Sequence, residues 1–258
     1  MHVGPPLSDL VDTWEGVRPI QTVTLSLFRF PGAAGALWAL GQMGAARLDF
    51  ARGTGATFWK LCGSGAGTGF TGVDPHAWAI LAAWPDVATA RARIADAAPW
   101  RRWRARAAEV CDILLSPVSS RGRWSGREPF DPAPSPAPGR GSGPMAVLTR
   151  ATIRAPRAPR FWSRAPGVQD AIARDPNVLF RVGIGEMPFL HQVTFSIWPD
   201  TRSMTAFAHA PGPHADAIRA VRQGGWFREE LYARFAVIEA RGTWRGAPPL
   251  HRPEEIAA

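Results

Sequence analysis

The chain has 258 residues, 46% of them apolar and 20% charged. That is enough for one large or two small folded domains, and too apolar for a disordered chain. No apolar run approaches the ~20 residues that cross a bilayer. Residues 1–20 carry Asp9, Asp12 and Glu15 without a signal-type apolar segment, and the two cysteines, Cys62 and Cys111, suit a reducing compartment. The expectation is a folded, soluble, cytoplasmic protein. A net charge of +9 resides almost wholly on arginine, because Lys60 is the only lysine. It admits an anionic partner, and no nucleic-acid-binding motif accompanies it.

In chain order, Val23, Leu25 and Leu27 alternate with Thr22, Thr24 and Ser26, the period of a strand with two unlike faces. Residues 33–48 read as a helix, 58–62 and 78–83 as strands, 86–98 and a piece continuing toward 109 as helices, and 110–115 as a strand. Residues 128–144 are rich in Pro, Gly and Ser and read as a linker. The order then repeats: strand 146–153, helix 161–173, strands 178–182 and 189–198, helices 200–208 and 214–223, and a closing strand at 235–238. Trp84-Pro85-Asp86 returns as Trp198-Pro199-Asp200, Gly63 and Gly65 return as Gly183 and Gly185, and Gly122-Arg123-Trp124-Ser125-Gly126 returns as Gly242-Thr243-Trp244-Arg245-Gly246. In each Trp-Pro-Asp the proline stops the strand and the Asp is placed to cap the next helix. Three matches in one order indicate duplication. The fold class expected is α+β: tandem ferredoxin-like halves packed as an α+β barrel. The halves span 21–127 and 145–246, with an N-terminal extension at 1–20, the linker at 128–144 and a tail at 247–258.

The common catalytic signatures are absent. Residues 63–69 fit neither a dinucleotide fingerprint nor a P-loop, and no G-x-S-x-G, H-E-x-x-H or C-x-x-C occurs. The histidines carry more information. Aligning the two Trp-Pro-Asp sites places Pro99 opposite Pro213 and Trp100 opposite His214. His214, Ile218 and Val221 share a helical face. An imidazole in a first helical turn is favoured in its neutral, metal-binding form. His214 is therefore the candidate axial metal ligand, against the plainer reading of a hydrogen-bonded helix-start histidine. His191 is the rival, on the strand face of Val193, Phe195 and Ile197. Two arginine-rich stretches, Trp100-Arg101-Arg102-Trp103-Arg104 and the spaced Arg154, Arg157, Arg160 and Arg164, suit an interfacial patch on anionic lipid, with tryptophan at headgroup depth.

Longer runs carry a resemblance. Phe58-Trp59-Lys60, Gly63-Ser64-Gly65, Leu115-Ser116-Pro117, Leu148-Thr149-Arg150-Ala151-Thr152, residues 192–200 and residues 225–235 resemble spheroidene monooxygenases, the acyclic carotenoid 2-ketolases of purple phototrophic bacteria. The likeness spans roughly residues 21–246. It implies an oxidoreductase that binds haem and oxidises the C-2 methylene of spheroidene to spheroidenone. The co-substrate would be O2, with electrons from a ferredoxin-type donor, through two hydroxylations and loss of water from a gem-diol. The substrate would lie in a membrane, so the protein would be peripheral to an intracytoplasmic or inner membrane; self-association into a homo-oligomer stays open. On this reading His214 holds the haem iron, Arg150 or Arg181 pairs with the haem carboxylates or steadies bound oxygen, and Met187, Phe189, Phe195 and Trp198 line the polyene channel. Three other readings stand beside it: a haem-free cofactor-independent monooxygenase, a non-catalytic haem- or carotenoid-binding module, and another haem reaction such as aldoxime dehydration.

Overall fold

The computed structural model describes residues 19–66, 72–132 and 143–250. The first half contains β1 (Thr22–Arg29), α1 (Gly32–Ala51), β2 (Phe58–Ser64), β3 (Asp74–Trp84), α2 (Val87–Asp96), α3 (Ala98–Arg104) and β4 (Glu109–Gly122). The second contains β5 (Met145–Ile153), α4 (Ala158–Arg174), β6 (Phe180–Gly185), β7 (His191–Trp198), α5 (Thr201–His209), α6 (Pro213–Gly224) and β8 (Phe227–Gly242). The strands close one antiparallel barrel in the order β1-β3-β2-β6-β7-β5-β8-β4. Each half keeps ferredoxin-like strand order, and the two are sewn together at both edges.

Alternation fills the barrel. Val23, Leu25 and Leu27 point inward and meet Leu148, Phe195, Ile197 and Phe235 from the other half in one buried cluster. The opposite face of the first-half sheet is also solid: Phe28, Ile80 and Trp84 pack against Phe50, Trp100 and Trp103 from the helices. The Trp-Pro-Asp reading holds in both copies. Asp86 accepts from Thr89 N and Asp200 from Ser203 N, each at 2.7 Å, so each aspartate caps the helix that follows.

The repeated Gly-x-Trp-x-Gly motif folds the same way twice. Ser125 and Arg245 have φ of 56° and 57°, and each motif closes on an isolated bridge, Trp124 with Arg127 and Trp244 with Ala247. A Cβ on Gly122 would lie 2.2 Å from Glu230 O and one on Gly242 2.1 Å from Val110 O, so only glycine lets the backbone pass. Gly63 and Gly65 also gain a concrete role, while residues 67–71 of that loop lie outside the described part. Gly63 pairs with Gly185, and Gly65 N donates to Gly183 O at 2.8 Å, so these duplicated glycines form the β2–β6 seam.

Three expectations change. The closing strands are far longer than 110–115 and 235–238, because residues 227–235 alternate Leu231, Ala233 and Phe235 inward with Glu230, Tyr232 and Arg234 outward. The segment read as a linker starts as core: Phe130 is buried against Phe58 and Phe235, with ring centroids at 6.3 and 5.1 Å; residues 133–142 lie outside the described part. Trp100 and Trp103 are fully buried and cannot reach a headgroup layer. Their arginines are engaged as well, Arg102 with Asp49 at 2.5 Å and Arg104 with Asp112 at 2.6 Å.

Candidate active site

The second half departs from the first where its sheet meets its helices. Strand register aligns the two: Thr22 faces Trp84 across β1–β3 as Met145 faces Trp198 across β5–β7. Phe28, Trp78, Ile80 and Ala82 therefore correspond to Ala151, Gln192, Thr194 and Ser196. Bulky apolar residues have become small or polar ones. Where the first half is packed, the second encloses a cavity of about 600 Å3, within the range of ~300–1,000 Å3 usual for ligand sites.

The floor of this cavity is the outer face of β5, β7, β8 and the end of β4. Its roof is Phe161, Ala165 and Val168 of α4, Met204 and Phe207 of α5, and Ala217 and Val221 of α6. The walls are mainly apolar, with polar groups at chosen points. Thr149 and Thr194 sit side by side on the floor. Gln192 is 9% exposed, and its Nε2 has no hydrogen-bond partner among the described residues. A buried amide left unpaired costs free energy unless a ligand completes it. Arg121, Arg164 and Arg234 add positive charge to the walls, Arg121 over the ring of Tyr232 and Arg164 over that of Trp226.

A second polar group closes one end of the barrel interior. Lys60 Nζ lies 2.7 Å from Glu186 Oε1, and Trp124 Nε1 donates to Glu186 Oε2 at 2.7 Å. Arg150 is paired with Glu229 and lies 3.7 Å from Glu186. Burial pushes the Glu186 carboxyl up, but hydrogen bonds from Lys60 and Trp124 and the charges of Lys60 and Arg150 outweigh it and hold the group below its ordinary range. His191 Nδ1 is 3.5 Å from Glu186 Oε2. Burial dominates there and lowers the imidazole pKa, so the ring is kept neutral. The thiols are core groups: burial raises both, Cys111 to about 12.

No model of a protein family matches the chain. It is 49% identical over 233 residues to a spheroidene monooxygenase of Cereibacter sphaeroides, covering 90% of this chain and 71% of that one. The enzyme of the same name from Rhodobacter capsulatus is 46% identical over 235 residues, covering 90% and 96%. That from Rubrivivax gelatinosus is 36% identical over 215 residues, covering 83% and 81%.

The chain belongs to the spheroidene monooxygenase family.

Among solved structures, an aldoxime dehydratase crystallised with butyraldoxime superposes with a TM-score of 0.59 at 10% identity, covering 87% of this chain and 81% of that one. A second aldoxime dehydratase gives 0.56 at 12% identity, covering 86% and 83%. At such identities the likeness is one of fold.

In this spheroidene monooxygenase family member the residues singled out from sequence are not all brought together. Trp198 lines the cavity, its Nε1 donating to Ser196 Oγ at 3.0 Å. Phe195 points the other way, into the barrel core, because it is one residue out of phase on the strand. Met187 and Phe189 lie on the exposed β6–β7 turn, outside the cavity walls. Arg150 borders the cavity, yet its guanidinium is committed to Glu229 and Glu186. Arg181 is half-buried on β6 and does not wall the cavity. His191 borders a separate niche of about 50 Å3 beside Phe189. His214 begins α6, and its side chain lies outside the described residues. Sequence reading missed Gln192, Thr149, Thr194, Arg121 and Arg234, and placed Arg164 in a lipid-facing patch. Only the register comparison with Trp78, Ser26 and Ile80 sets Gln192, Thr149 and Thr194 against an otherwise packed layer.

Proposed function

We propose that this protein is a haem-dependent monooxygenase that oxidises the C-2 methylene of an acyclic carotenoid, spheroidene to spheroidenone, with O2 and electrons from a ferredoxin-type donor. Membership of the spheroidene monooxygenase family supports the reaction class. The observation that carries the site is the cavity of about 600 Å3 in the second half, at a layer the first half fills with Phe28, Ile80 and Trp100. The residues present suit haem: an apolar slot, an unpaired buried amide and three wall arginines. Position 214 precedes Ala217 by three and Val221 by seven residues on α6, and both of those wall the cavity. His214 would supply a nitrogen to the haem iron, and Arg121, Arg164 and Arg234 would hold the haem carboxylates.

When bound, haem would supply the activation of O2. The chain's own contribution is positional. Phe161, Val168 and Phe207 exclude water and clamp an apolar ligand against the sheet. Gln192 Nε2 would donate to a polar atom of the bound ligand, and Thr149 and Thr194 beside it extend that polar line along the floor. Each hydroxylation takes one O2, two protons and two electrons and releases one water; the second leaves a gem-diol that loses a further water to give the ketone.

The test is an optical spectrum and a turnover assay on purified protein. Wild type reconstituted with haem should show a Soret band and convert detergent-dispersed spheroidene with consumption of O2. His214→Ala should lose most of the band at unchanged far-ultraviolet circular dichroism. Turnover without a Soret band would favour a haem-free monooxygenase. Bound haem with no O2 uptake would point to a different haem reaction.

A further inference from the structure

The β6–β7 turn is built against local preference. Phe189 has φ of 65°, a left-handed conformation that Gly, Asn or Asp adopts readily and a bulky residue does not. The side chain so held is 61% exposed, and Met187 beside it is 49% exposed. Neither fills a core, so packing within the fold does not account for apolar side chains there. The turn is braced from behind: Trp162 Nε1 donates to Phe189 O at 2.8 Å, and the two rings meet edge to face at 6.0 Å. Trp162 in turn meets Phe161 edge to face at 5.1 Å, and Phe161 walls the cavity. The exposed apolar tip therefore adjoins the roof of the site.

The surroundings are basic. From Arg154 to Gln169 the sequence holds four arginines and no acidic residue. Arg154, Arg160 and Arg164 are exposed, and Arg154 Nε donates to Phe227 O on the neighbouring strand end, where Arg228 is also exposed. An apolar tip ringed by arginine matches the chemistry of an anionic bilayer, with apolar side chains below the headgroups and guanidinium groups among the phosphates.

We propose that the Met187–Phe189 turn and Arg154, Arg157 and Arg160 beside it form a docking surface for an anionic lipid bilayer, which sets the roof of the cavity against the membrane. The inference deepens the carotenoid reading and rests on it for purpose, since a polyene reaches the cavity from lipid. The contact itself stands on the turn and its charges. It also replaces the first-half Trp100–Arg104 patch expected from sequence.

The test is co-sedimentation of the full chain with vesicles of phosphatidylcholine alone and with phosphatidylglycerol added, without haem or carotenoid. Wild type should bind the anionic vesicles, less at high salt, and bind the neutral ones weakly. Met187→Ser with Phe189→Asn keeps a residue tolerant of the left-handed backbone and should weaken binding at least about tenfold with circular dichroism unchanged. Arg157→Glu with Arg160→Glu should do the same and leave turnover of detergent-dispersed carotenoid intact. Leu37→Asp with Leu40→Asp, on the exposed apolar face of α1 in the other half, should leave binding unchanged. Absent binding by wild type, equal binding to both vesicle types, or a loss seen only with the α1 pair would overturn the proposal. Vesicle binding by a protein that turns over no carotenoid supports this surface and removes the carotenoid reading.

Discussion

Trp100 Nε1 donates to Ser26 Oγ at 2.9 Å, and that bond marks the point where the two halves part company. Ser26 Oγ donates to Asp112 Oδ1 at 2.6 Å, and Arg104 donates to Asp112 Oδ2 at the same distance. In the second half the register equivalents of Ser26 and Asp112 are Thr149 and Tyr232, both on cavity walls. The duplicated fold thus keeps one half as ballast and hollows out the other.

Trp100→Ala should expose how much this layer contributes. It removes a fully buried indole and leaves the Ser26–Asp112–Arg104 chain short of a donor. The expected cost is about 3–5 kcal/mol, read as a lower urea midpoint. The second-half site is untouched, so activity at low temperature should persist.

The converse experiment fills the hollow. Ala151→Phe with Thr194→Ile gives the second half the residues the first half carries as Phe28 and Ile80. Burying apolar surface in an existing cavity should leave stability unchanged or raise it by about 0.5–2 kcal/mol. Haem retention and carotenoid turnover should fall at least about tenfold. Retained turnover in a well-folded variant would place the chemistry elsewhere.

Gln192→Leu removes the unpaired amide at nearly constant volume. Because Nε2 has no partner among the described residues, the folded protein loses no hydrogen bond there and stability should hold or rise slightly. Turnover should fall about ten- to a hundredfold, with most of the loss in kcat, while Gln192→Glu changes its pH profile. A drop confined to KM would instead assign Gln192 to carotenoid binding.

The barrel-end cluster predicts an acid limb. Burial raises the Glu229 carboxyl, but the backbone N–H groups of Gly126 and Ser125 and the charge of Arg150 outweigh it, so Glu229, like Glu186, titrates below its ordinary value. The unfolded chain takes up these protons first as pH falls. The stabilisation is therefore complete above the usual Glu pKa of about 4.3 and is lost as pH drops through the folded-state values. Urea midpoints measured from neutral pH downward should fall on that limb, and Glu186→Gln should flatten it. An unchanged slope would mean that Lys60 and Arg150 do not hold this carboxylate.

Much of the architecture was legible because it is written in local chemistry. Period-two alternation gave Val23–Leu27 and Val193–Ile197 as two-faced strands, and the two Trp-Pro-Asp sites marked strand ends and helix caps. What escaped depends on neighbours far away in sequence. Glu229 lies in a run of three charged residues, Arg228-Glu229-Glu230, yet it turns inward to Arg150, which comes 79 residues earlier. Trp100 and Trp103 look like interfacial anchors beside arginines until the sheet beneath them is in place. Phe195 lies on the expected strand but faces the barrel core, and sequence does not separate the two sides because the barrel interior and the helix-facing cavity both accept an apolar face.

The two joints of the barrel are unequal. Between β4 and β8 the pairing runs from Cys111 with Gly242 to Gly122 with Leu231, whereas among the described residues the β2–β6 ladder pairs Gly63 with Gly185 and Ser64 with Ile184, extended by the bond from Gly65 N to Gly183 O. The ring resembles a bracelet with one broad hinge and one small clasp, and the clasp lies next to the turn that carries Phe189. Thermal breathing should therefore concentrate there, loosening the roof of the hollow half while the packed half keeps its shape.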